Sequence, residues 1–473
     1  METGIISTGS FPPMGRSQWL ETARPGSEAP VSPRYSDLRF EQLRQDHQRT
    51  GLLHGAGPSW TIVQRVDDTD AKRANAQAQE DIAAGATGLA IIFEGAPNAF
   101  GYGLPARPEA LAAALHNIQL SKTYLRIDVH PSSRASVDWI VELMRRKKVD
   151  PARVSLSFGI DPAAIFAGNG SLRMSIDALY ASMPQSLAHF FAMGIPAVLL
   201  EADGRVMHNA GATEAQELGV MLAAAVSYLR MFQEARQPLV YATPHIGFAL
   251  CVDQDQVLSV AKVRAMRKLW AKAQEACGIT PSPAKIHVET SYRMLSLRDP
   301  ETNILRTTLS ASAAVAGGAD TISLLPHTLP HGLPERRARR LARNAQLVLA
   351  RETHLSSLVD PTASSDDLDL LIASMCEAAW EEFRTIEEDG GLLASLSKGL
   401  VQKRVREAGA SRIEMLRAEA RVNGTDSDHS AIDAELVETL KAEPRDVSRD
   451  GVAFCDPLPA ARIDEMVAKA ETN

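Results

Sequence analysis

The chain contains few cysteines, few aromatic residues and no long apolar run. Its four cysteines are scattered over 473 residues, with no CxxC pair and no Cys/His spacing typical of a metal site, so we expect free thiols in a reducing compartment. No apolar run approaches the roughly 20 residues that span a bilayer, and the first residues show no basic stretch followed by an apolar one. These absences predict a cytoplasmic protein without a membrane partner.

The chain also lacks an excess of basic residues. Lys and Arg total 50 against 58 Asp and Glu, a formal net charge of −8, which argues against nucleic acid as a partner. The local exception is the run ERRARRLAR at 335–343, which we interpret as an outer helix or a subunit contact. With 45% apolar residues, the chain can bury a large core, and its length predicts one barrel-sized domain with additions.

Short β-branched or apolar runs recur from residue 60 onward and predict eight strands. They are WTIVQRV (60–66), LAIIFE (89–94), YLRIDV (124–129), VSLSF (154–158), AVLLEA (197–202), PLVYA (238–242), IHVET (286–290) and TISLL (321–325). Segments with helical spacing follow them at 71–84, 108–119, 135–147, 176–193, 214–234, 254–276, 303–316 and 334–351. Eight strand–helix units with continuously apolar strands predict an α/β fold, the parallel (β/α)8 TIM barrel.

Three regions follow from this pattern. Residues 1–55 are rich in Pro, Gly, Ser and Arg and predict an N-terminal arm, either disordered or extended over another surface. Residues 56–360 form the predicted barrel. Residues 361–473 form a charged C-terminal extension that is mostly helical, with one helix expected near 432–442. We expect no second doubly wound α/β domain in this sequence.

Acids and histidines cluster just after the predicted strands. They are Asp67, Glu94, Asp128, His130, Asp161, Glu201, Asp203, His245 and Glu289. The active sites of α/β barrels are built at this end of the strands, and carboxylate–histidine clusters there can bind divalent metals. A metal-dependent barrel enzyme is therefore one hypothesis. The alternative is that these rim residues are scattered and share no role.

Three motifs in a fixed order carry a resemblance to one family. They are AGATEAQELG (210–219), VRAMRKLWA (263–271) and the ETS…RDP…NxxRTT…GG block (289–318), which ARNAQLVL and VDP (359–361) extend. Together they resemble the adenosylcobalamin-dependent acyl-CoA mutases of the methylmalonyl-CoA mutase family, over roughly residues 55–420. The resemblance implies a TIM barrel and a radical rearrangement of methylmalonyl-CoA to succinyl-CoA.

The resemblance also implies which side chains contact a substrate. Arginines at the family positions of Arg264 and Arg306 help to hold the acyl-CoA, because its phosphates and carboxylate suit a planar bidentate donor. Thr307 lies beside Arg306. The alternative for Arg306 is an ion pair with Asp299 or Glu289, and the alternative for Arg264 is a surface charge. The basic run at 335–343 is a further candidate contact for the CoA phosphates.

Five sets of polar contacts found in catalytic members differ in this sequence. The family's catalytic histidine, which hydrogen-bonds the substrate thioester, aligns with Val206 in RVMHNAGAT, and His208 is a weak candidate two residues later. The arm before the first strand, tyrosine-containing in the family, has no tyrosine over 51–60. FGIDP (158–162) replaces a glutamine–asparagine pair, 323–325 replaces a cobalamin-facing HTN, and 362–364 replaces GGS. The comparison implies a retained scaffold without the catalytic contacts.

The signature of the family's cobalamin-binding domain is Asp-x-His-x-x-Gly. Its nearest match, at 128–133, lacks the glycine and lies on a barrel strand. We therefore expect this chain to bind no cofactor and no metal, with adenosylcobalamin bound by a partner. The sequence is interpreted as the small, non-catalytic β subunit of a heterodimeric methylmalonyl-CoA mutase that supports a catalytic α subunit. The alternatives are a barrel subunit whose cobalamin domain is a separate chain, and the metal-dependent enzyme.

Overall fold

A closed barrel of eight parallel strands forms the centre of the computed structural model, which describes residues 60–353, 355, 362, 365–423, 437–445 and 450–472. The barrel strands, in order, are β1 (Thr61–Val66), β2 (Gly88–Ile91), β3 (Tyr124–Ile127), β4 (Leu156–Ile160), β6 (Ala197–Asp203), β7 (Ile246–Val252), β8 (Lys285–Thr290) and β9 (Thr321–Ser323). The last strand pairs with the first in parallel and closes the barrel. The predicted TIM barrel is confirmed.

Helices surround the barrel and extend beyond it. They are α1 (Ala71–Ala83), α2 (Pro108–Ala114), α3 (Ser133–Lys147), α4 (Pro162–Asn169), α5 (Ile176–Ala192), α6 (Arg205–Asn209), α7 (Glu214–Glu234), α8 (Leu239–Ala242), α9 (Gln256–Ala276), α10 (Pro300–Gly317), α11 (Arg336–Arg351), α12 (Asp366–Glu388), α13 (Leu392–Ser397), α14 (Leu400–Asn423) and α15 (Ile463–Thr472). No helix within the described ranges has the length and apolar content that crossing a bilayer requires.

Polar residues at the carboxyl ends of the strands also begin the next helices. Asp70, Asp161 and Asp255 accept hydrogen bonds from first-turn amides of α1, α4 and α9. Thr213 and Gln216 form a reciprocal capping box at the start of α7. Such caps pair amides that the helix itself leaves without a partner. Of the predicted rim residues, Asp161 therefore has a structural role in a strand-to-helix turn.

One predicted strand is wrong. PLVYA (238–242) is not the sixth barrel strand, because Leu239–Ala242 forms the short helix α8, in which Val240 and Tyr241 are exposed. The strand is β7, a few residues later. His245 precedes β7 and bonds the carbonyl of Ala197 at 2.6 Å, so it lies at the amino end of the barrel and not at the catalytic rim.

The prediction of a helical C-terminal extension is confirmed for only part of it. Helices α12, α13 and α14 confirm the prediction over 365–423. The helix expected near 432–442 is wrong in its described part, because Thr439–Leu440 (β11) pairs with Leu333–Pro334 (β10). A further short ladder joins Ser171–Leu172 (β5) to Ala453–Phe454 (β12). The predicted N-terminal arm and the VDP segment at 359–361 lie outside the described residues.

Candidate functional site

Charged side chains fill the carboxyl-terminal part of the barrel interior. Arg205 donates to Asp203 at 2.6 Å, to Asp128 at 3.2 Å and to Glu289 at 3.3 Å. Arg65 of β1 bonds Glu289 from the other side at 2.7 Å. Each member of this set is at most 4% exposed. We call the set the lumen network; its members are Arg65, Asp67, Arg126, Asp128, Glu201, Asp203, Arg205, Glu289 and Arg339.

Within the lumen network, burial raises the pKa of the carboxyl groups and the neighbouring guanidinium groups lower it. Burial alone would raise the pKa of Asp67, but the guanidinium groups of Arg339 and Arg65 hold this pKa at about 2. Burial raises the pKa of Glu201 in spite of its two contacts with Arg126. The network contains five carboxyl groups and four guanidinium groups, so some guanidinium groups, such as that of Arg205, serve more than one acid. Glu201 is an acid whose protonation this environment favours.

The sequence carries a signal for the lumen network that is easily missed. Charges two positions apart occur in or just after β1, β3 and β6, at 65 and 67, 126 and 128, and 201 and 203. Since side chains alternate across a strand, both members of each pair point to the same face. The acids were predictable as rim residues, whereas the bonds of Arg65 to Glu289 and of Arg126 to Glu201 were not, because they join strands distant in sequence.

A second buried cluster surrounds His208 on α6. Its Nε2 lies 2.8 Å from the hydroxyl of Ser291, and its Nδ1 lies 3.1 Å from the carboxylate of Glu217. Lys262 of α9 donates to the same carboxylate oxygen at 2.7 Å. All four side chains are at most 1% exposed. We call this group the His208 cluster.

The electrostatics of the His208 cluster keep the imidazole neutral. Burial, Arg293 and Lys262 lower the pKa of His208 well below its usual value. A neutral ring has one N–H, and the contacts accommodate either tautomer. With the proton on Nε2, this atom donates to the Ser291 hydroxyl and Nδ1 accepts from Lys262, whose Nζ lies 3.3 Å away. With the proton on Nδ1, this atom donates to Glu217 and Nε2 accepts from the Ser291 hydroxyl. This order of groups is found in nucleophilic catalysis. Here Ser291 is fully buried, so the cluster joins helices α6, α7 and α9 to the end of β8 and presents no nucleophile to solvent.

Val206 lies on the same short helix in a tightly packed apolar environment. It is 3% exposed. A Cβ atom at Gly168 would lie 3.4 Å from Val206 Cγ1 and only 2.6 Å from Pro97 Cβ. Helix α4 therefore approaches Pro97 so closely that glycine is required at 168, whereas Val206 lies at van der Waals contact distance. A larger side chain at 206 would have to displace this packing.

Aromatic side chains cover the mouth of the barrel above the lumen network. The rings of Phe100 and Tyr292 stack with centroids 4.2 Å apart and planes 10° from parallel. Arg65 lies 5.4 Å from the Phe100 ring, and Arg462 lies 5.9 Å from the Tyr292 ring. Phe100 has a φ of 51°, a left-handed conformation that costs a non-glycine residue about 1 kcal/mol or more. The cation–aromatic column holds it in place.

The C-terminal strap, which we define as residues 450–463, crosses the same face of the barrel. Its amides donate to carbonyls in the loops and short elements (α4, β5 and α6) that follow β4, β6 and β8. The acceptors, at 2.7–2.9 Å, are the carbonyls of Leu172, Gly170, Ala167, Asn209 and Arg293. Because active sites of α/β barrels are built from these loops, the strap lies across the place where a substrate would be expected.

The comparisons with known proteins agree with this barrel and its motifs. The sequence profile of the family described as methylmalonyl-CoA mutase matches residues 106–470, well over half of the chain. The chain belongs to the methylmalonyl-CoA mutase family. This family consists of isomerases that depend in general on adenosylcobalamin.

Relatives within the mutase family include both types of subunit. The methylmalonyl-CoA mutase small subunit of Streptomyces virginiae is 33% identical over 359 residues, which cover 76% of this chain and 56% of the relative. The small subunit of Propionibacterium freudenreichii subsp. shermanii is 29% identical over 408 residues (86% and 62%). The large subunit of Streptomyces virginiae is 25% identical over 483 residues (91% and 64%). The chain thus spans between half and two thirds of the length of these mutase subunits.

The residues predicted to contact an acyl-CoA make hydrogen bonds within this mutase-family barrel. Arg264 is 2% exposed and donates to the carbonyl of Ala316 at 3.0 Å. Arg306 donates to the carbonyl of Met294 at 3.2 Å, and the Thr307 hydroxyl bonds carbonyls of its own helix. Arg264 is thus not a surface charge. For all three residues, contact with an acyl-CoA stays a prediction.

Glu289 and Asp299, the acids named as alternative ion-pair partners of Arg306, have other roles in the structure. Glu289 belongs to the lumen network, and Asp299 caps α10 by accepting from the amide of Thr302. The basic run at 335–343 lies on the outer barrel helix α11, as interpreted from the sequence. Two of its arginines face inward, and Arg343 bonds Asp81 at 2.7 Å. These two arginines therefore have a structural role, whereas Arg336, Arg337 and Arg340 are exposed.

The 128–133 segment does not fit cobalamin. A lower ligand to cobalt requires an accessible imidazole nitrogen, but His130 is 0% exposed, with its ring 4.6 Å from that of Phe93. Asp128 is committed to the lumen network. Within the described ranges, no three His, Cys, Asp or Glu side chains are grouped so that they could hold a metal ion. Six of the rim acids bond arginines instead, and the structure gives a metal-dependent barrel enzyme no support.

Proposed function

We propose that the chain is the non-catalytic small subunit of a heterodimeric methylmalonyl-CoA mutase. In this proposal a large subunit binds adenosylcobalamin and performs the isomerisation of methylmalonyl-CoA to succinyl-CoA, and the present chain stabilises that subunit through their interface. The observation that carries the proposal is the pairing of a buried Val206, at the family's histidine position, with a fully buried His208.

The chemical reason is the absence of a proton donor at this position. A valine side chain has no N–H or O–H group with which to hydrogen-bond a thioester carbonyl. His208 could replace it only if a ring nitrogen were free, and both nitrogens contact other members of the His208 cluster. Freeing Nε2 would leave the Ser291 hydroxyl without its partner in a buried site, which costs roughly 1–3 kcal/mol.

The packing of the carboxyl-terminal face supports the same conclusion. Binding a substrate on the barrel axis, directly above the lumen network, would require moving the Phe100–Tyr292 stack and part of the C-terminal strap. Below them, the lumen network occupies the barrel interior with paired charges. A face built in this way suits a structural subunit better than a reaction chamber that must exchange substrate and product.

Two further observations support the proposal. Relatives named as small subunits are more similar in sequence to this chain than the large subunit of Streptomyces virginiae is. The cysteines are unpaired, as expected in the reducing cytoplasm, where we place the complex.

The experiment is a comparison of the chain alone with the chain co-expressed with the methylmalonyl-CoA mutase large subunit of its own organism. Each preparation is supplied with adenosylcobalamin and methylmalonyl-CoA, and succinyl-CoA is quantified. We expect the two chains to co-purify in equal amounts, turnover by the complex and none by the chain alone. A large subunit that is stable and fully active without this chain, and does not bind it, would contradict the proposal.

A second arm separates this proposal from a catalytic barrel subunit. Here the chain is mixed with a small cobalamin-binding protein of the same organism instead of the large subunit. The proposal predicts no succinyl-CoA in this mixture. Turnover would assign catalysis to the present chain and overturn its structural role.

A further inference from the structure

A pocket of about 890 Å³ opens at the carboxyl ends of β2, β3 and β4, to one side of the barrel axis. Glu94 follows β2, His130 follows β3, and Ile160 ends β4, and all three line the pocket. This volume lies in the range of about 300–1,000 Å³ that is typical of small-molecule sites. Its place at the loop end of a barrel is where ligands of this fold bind. The mutase proposal above assigns no role to it.

One side of the pocket is suited to an anion. The first residues of the 15-residue helix α3, beginning with Ser133, line it, and Ser132 at the cap position makes no side-chain hydrogen bond to the first turn. The N-terminus of a helix carries partial positive charge and attracts anions. Arg173 adds a full positive charge beside it, with its guanidinium 3.2 Å from the Ser132 hydroxyl.

The inner wall of the pocket contains buried polar atoms without a partner among the described residues. His130 is 0% exposed, and neither ring nitrogen has a hydrogen-bond partner. Asn169 is 4% exposed; its Nδ2 donates to the carbonyl of Gly95 at 2.9 Å, whereas its Oδ1 accepts nothing. Buried polar groups in proteins nearly always have partners. The buried polar atoms of the inner wall therefore require hydrogen-bond partners, which a bound molecule or a water held beneath it would supply.

The rest of the lining is mixed: Arg134 and Arg445 stand against the carboxylates of Glu94 and Asp450, with Arg445 paired to Glu94, and one part of the wall is apolar. Helix α5 contributes Leu179 and Met183, and β4, α4 and β5 contribute further aliphatic side chains, namely Ile160, Ile165 and Leu172. Contact with these side chains would favour the burial of an aliphatic body at about 25 cal/mol per Å² of apolar surface removed from water. A phosphate or sulfate ion would leave this part of the pocket unused.

We propose that this pocket binds a medium-chain aliphatic carboxylate. The carboxylate lies against the N-terminus of α3 and Arg173, and the alkyl chain packs against Leu179 and Met183. His130 and Asn169 lie behind the alkyl chain, where a water held between them and the ligand would supply the partners that their buried polar atoms lack.

The test is calorimetric titration of the purified full chain with octanoate, with octanol and inorganic phosphate as probes that lack the charge or the chain. We expect saturable binding of octanoate and binding at least about tenfold weaker for each of the other two, since a charge-assisted hydrogen bond is worth that factor or more. Equal affinity for octanol would show an apolar cavity without an anion site, and no saturable heat with octanoate would show no site. Either result overturns the proposal.

Matched variants locate the binding. Arg173→Gln should weaken octanoate binding about tenfold and leave octanol unaffected, whereas Arg153→Gln removes the same charge from an exposed position before β4 and should change nothing. Ala135→Trp fills the mouth of the pocket, and Ala276→Trp places the same side chain at the exposed end of α9. We expect Ala135→Trp to lose octanoate binding and Ala276→Trp to keep it. Octanoate affinity that is the same in all four variants would place the ligand elsewhere and refute the assignment.

Discussion

Replacing Arg205 with leucine tests whether the lumen network holds the barrel together. Arg205 is 0% exposed, and its guanidinium contacts the carboxylates of Asp128, Asp203 and Glu289. After the substitution, Glu289 retains Arg65, but among the described residues Asp203 keeps only the amide of Asn98 as a side-chain donor to its carboxylate, at 3.2 Å. The variant therefore leaves at least one buried carboxylate without a counter-charge.

The expected cost follows from that uncompensated charge. Removing one partner of a buried ion pair costs about 3–5 kcal/mol, and Arg205 serves several acids, so we expect the upper part of this range. Since whole domains are stable by only about 5–15 kcal/mol, Arg205→Leu should lose a third or more of the free energy of unfolding. Arg205→Lys keeps the charge but loses the planar guanidinium group with its paired donors. Its free energy of unfolding should lie between those of the wild type and Arg205→Leu.

The assay is urea unfolding followed by far-ultraviolet circular dichroism and tryptophan fluorescence. Arg336→Leu is the matched control, because Arg336 is largely exposed and bonds Glu80 on the surface at 2.7 Å; it should change stability by less than about 1 kcal/mol. The reasoning is refuted if Arg205→Leu unfolds at the same urea concentration as the control. If Arg205→Leu does not fold, Arg205→Lys still gives a measurable shift.

Three further predictions concern single residues. Val206→His should give no succinyl-CoA from methylmalonyl-CoA and adenosylcobalamin, because the other contact positions remain changed. Burial raises the pKa of Asp161 to about 7, so as the pH rises the carboxyl group keeps its proton to a higher pH in the folded state than in the unfolded chain. The free energy of unfolding should therefore fall by up to about 4 kcal/mol between pH 4 and pH 7. Asp161→Asn should remove this pH dependence in urea titrations. Gly159→Ala should cost about 1–3 kcal/mol in thermal unfolding, since its Cβ would lie 2.5 Å from the amide nitrogen of Val129.

The results that would contradict these three predictions are distinct. Turnover by Val206→His alone would show that the catalytic contacts are less altered than the sequence implies. A pH dependence of stability that is the same with aspartate and asparagine at position 161 would show that this carboxyl is not the buried acid that titrates. An unchanged melting temperature for Gly159→Ala would show that β3 and β4 can separate at little cost.

Most of the barrel could be predicted from the sequence because its strands are short apolar runs and its helices have regular spacing. The exception at β7 has a physical cause. PLVYA and IGFALCV are both short apolar runs, and periodicity alone does not separate a strand from a helical turn at this length. Pro238 precedes the turn, and Val240 and Tyr241 are exposed, whereas all of β7 is buried.

The candidate site was less predictable because its bonds join distant segments. The sequence singles out His208 and Val206 through the AGAT motif, but not the contact of His208 with Ser291, which is 83 residues away. The alternating charges of β1, β3 and β6 indicate a polar barrel interior, but the pairing of Arg65 with Glu289 depends on the closure of the barrel. The C-terminal strap has no motif that predicts where it lies.

The most direct test of the structural role is a turnover measurement on two preparations, the chain alone and the chain with its large subunit, at saturating adenosylcobalamin and methylmalonyl-CoA. We predict succinyl-CoA from the complex at a rate that Val206→His in this chain does not raise, and none from the chain alone. Succinyl-CoA formed by the isolated chain would contradict the account.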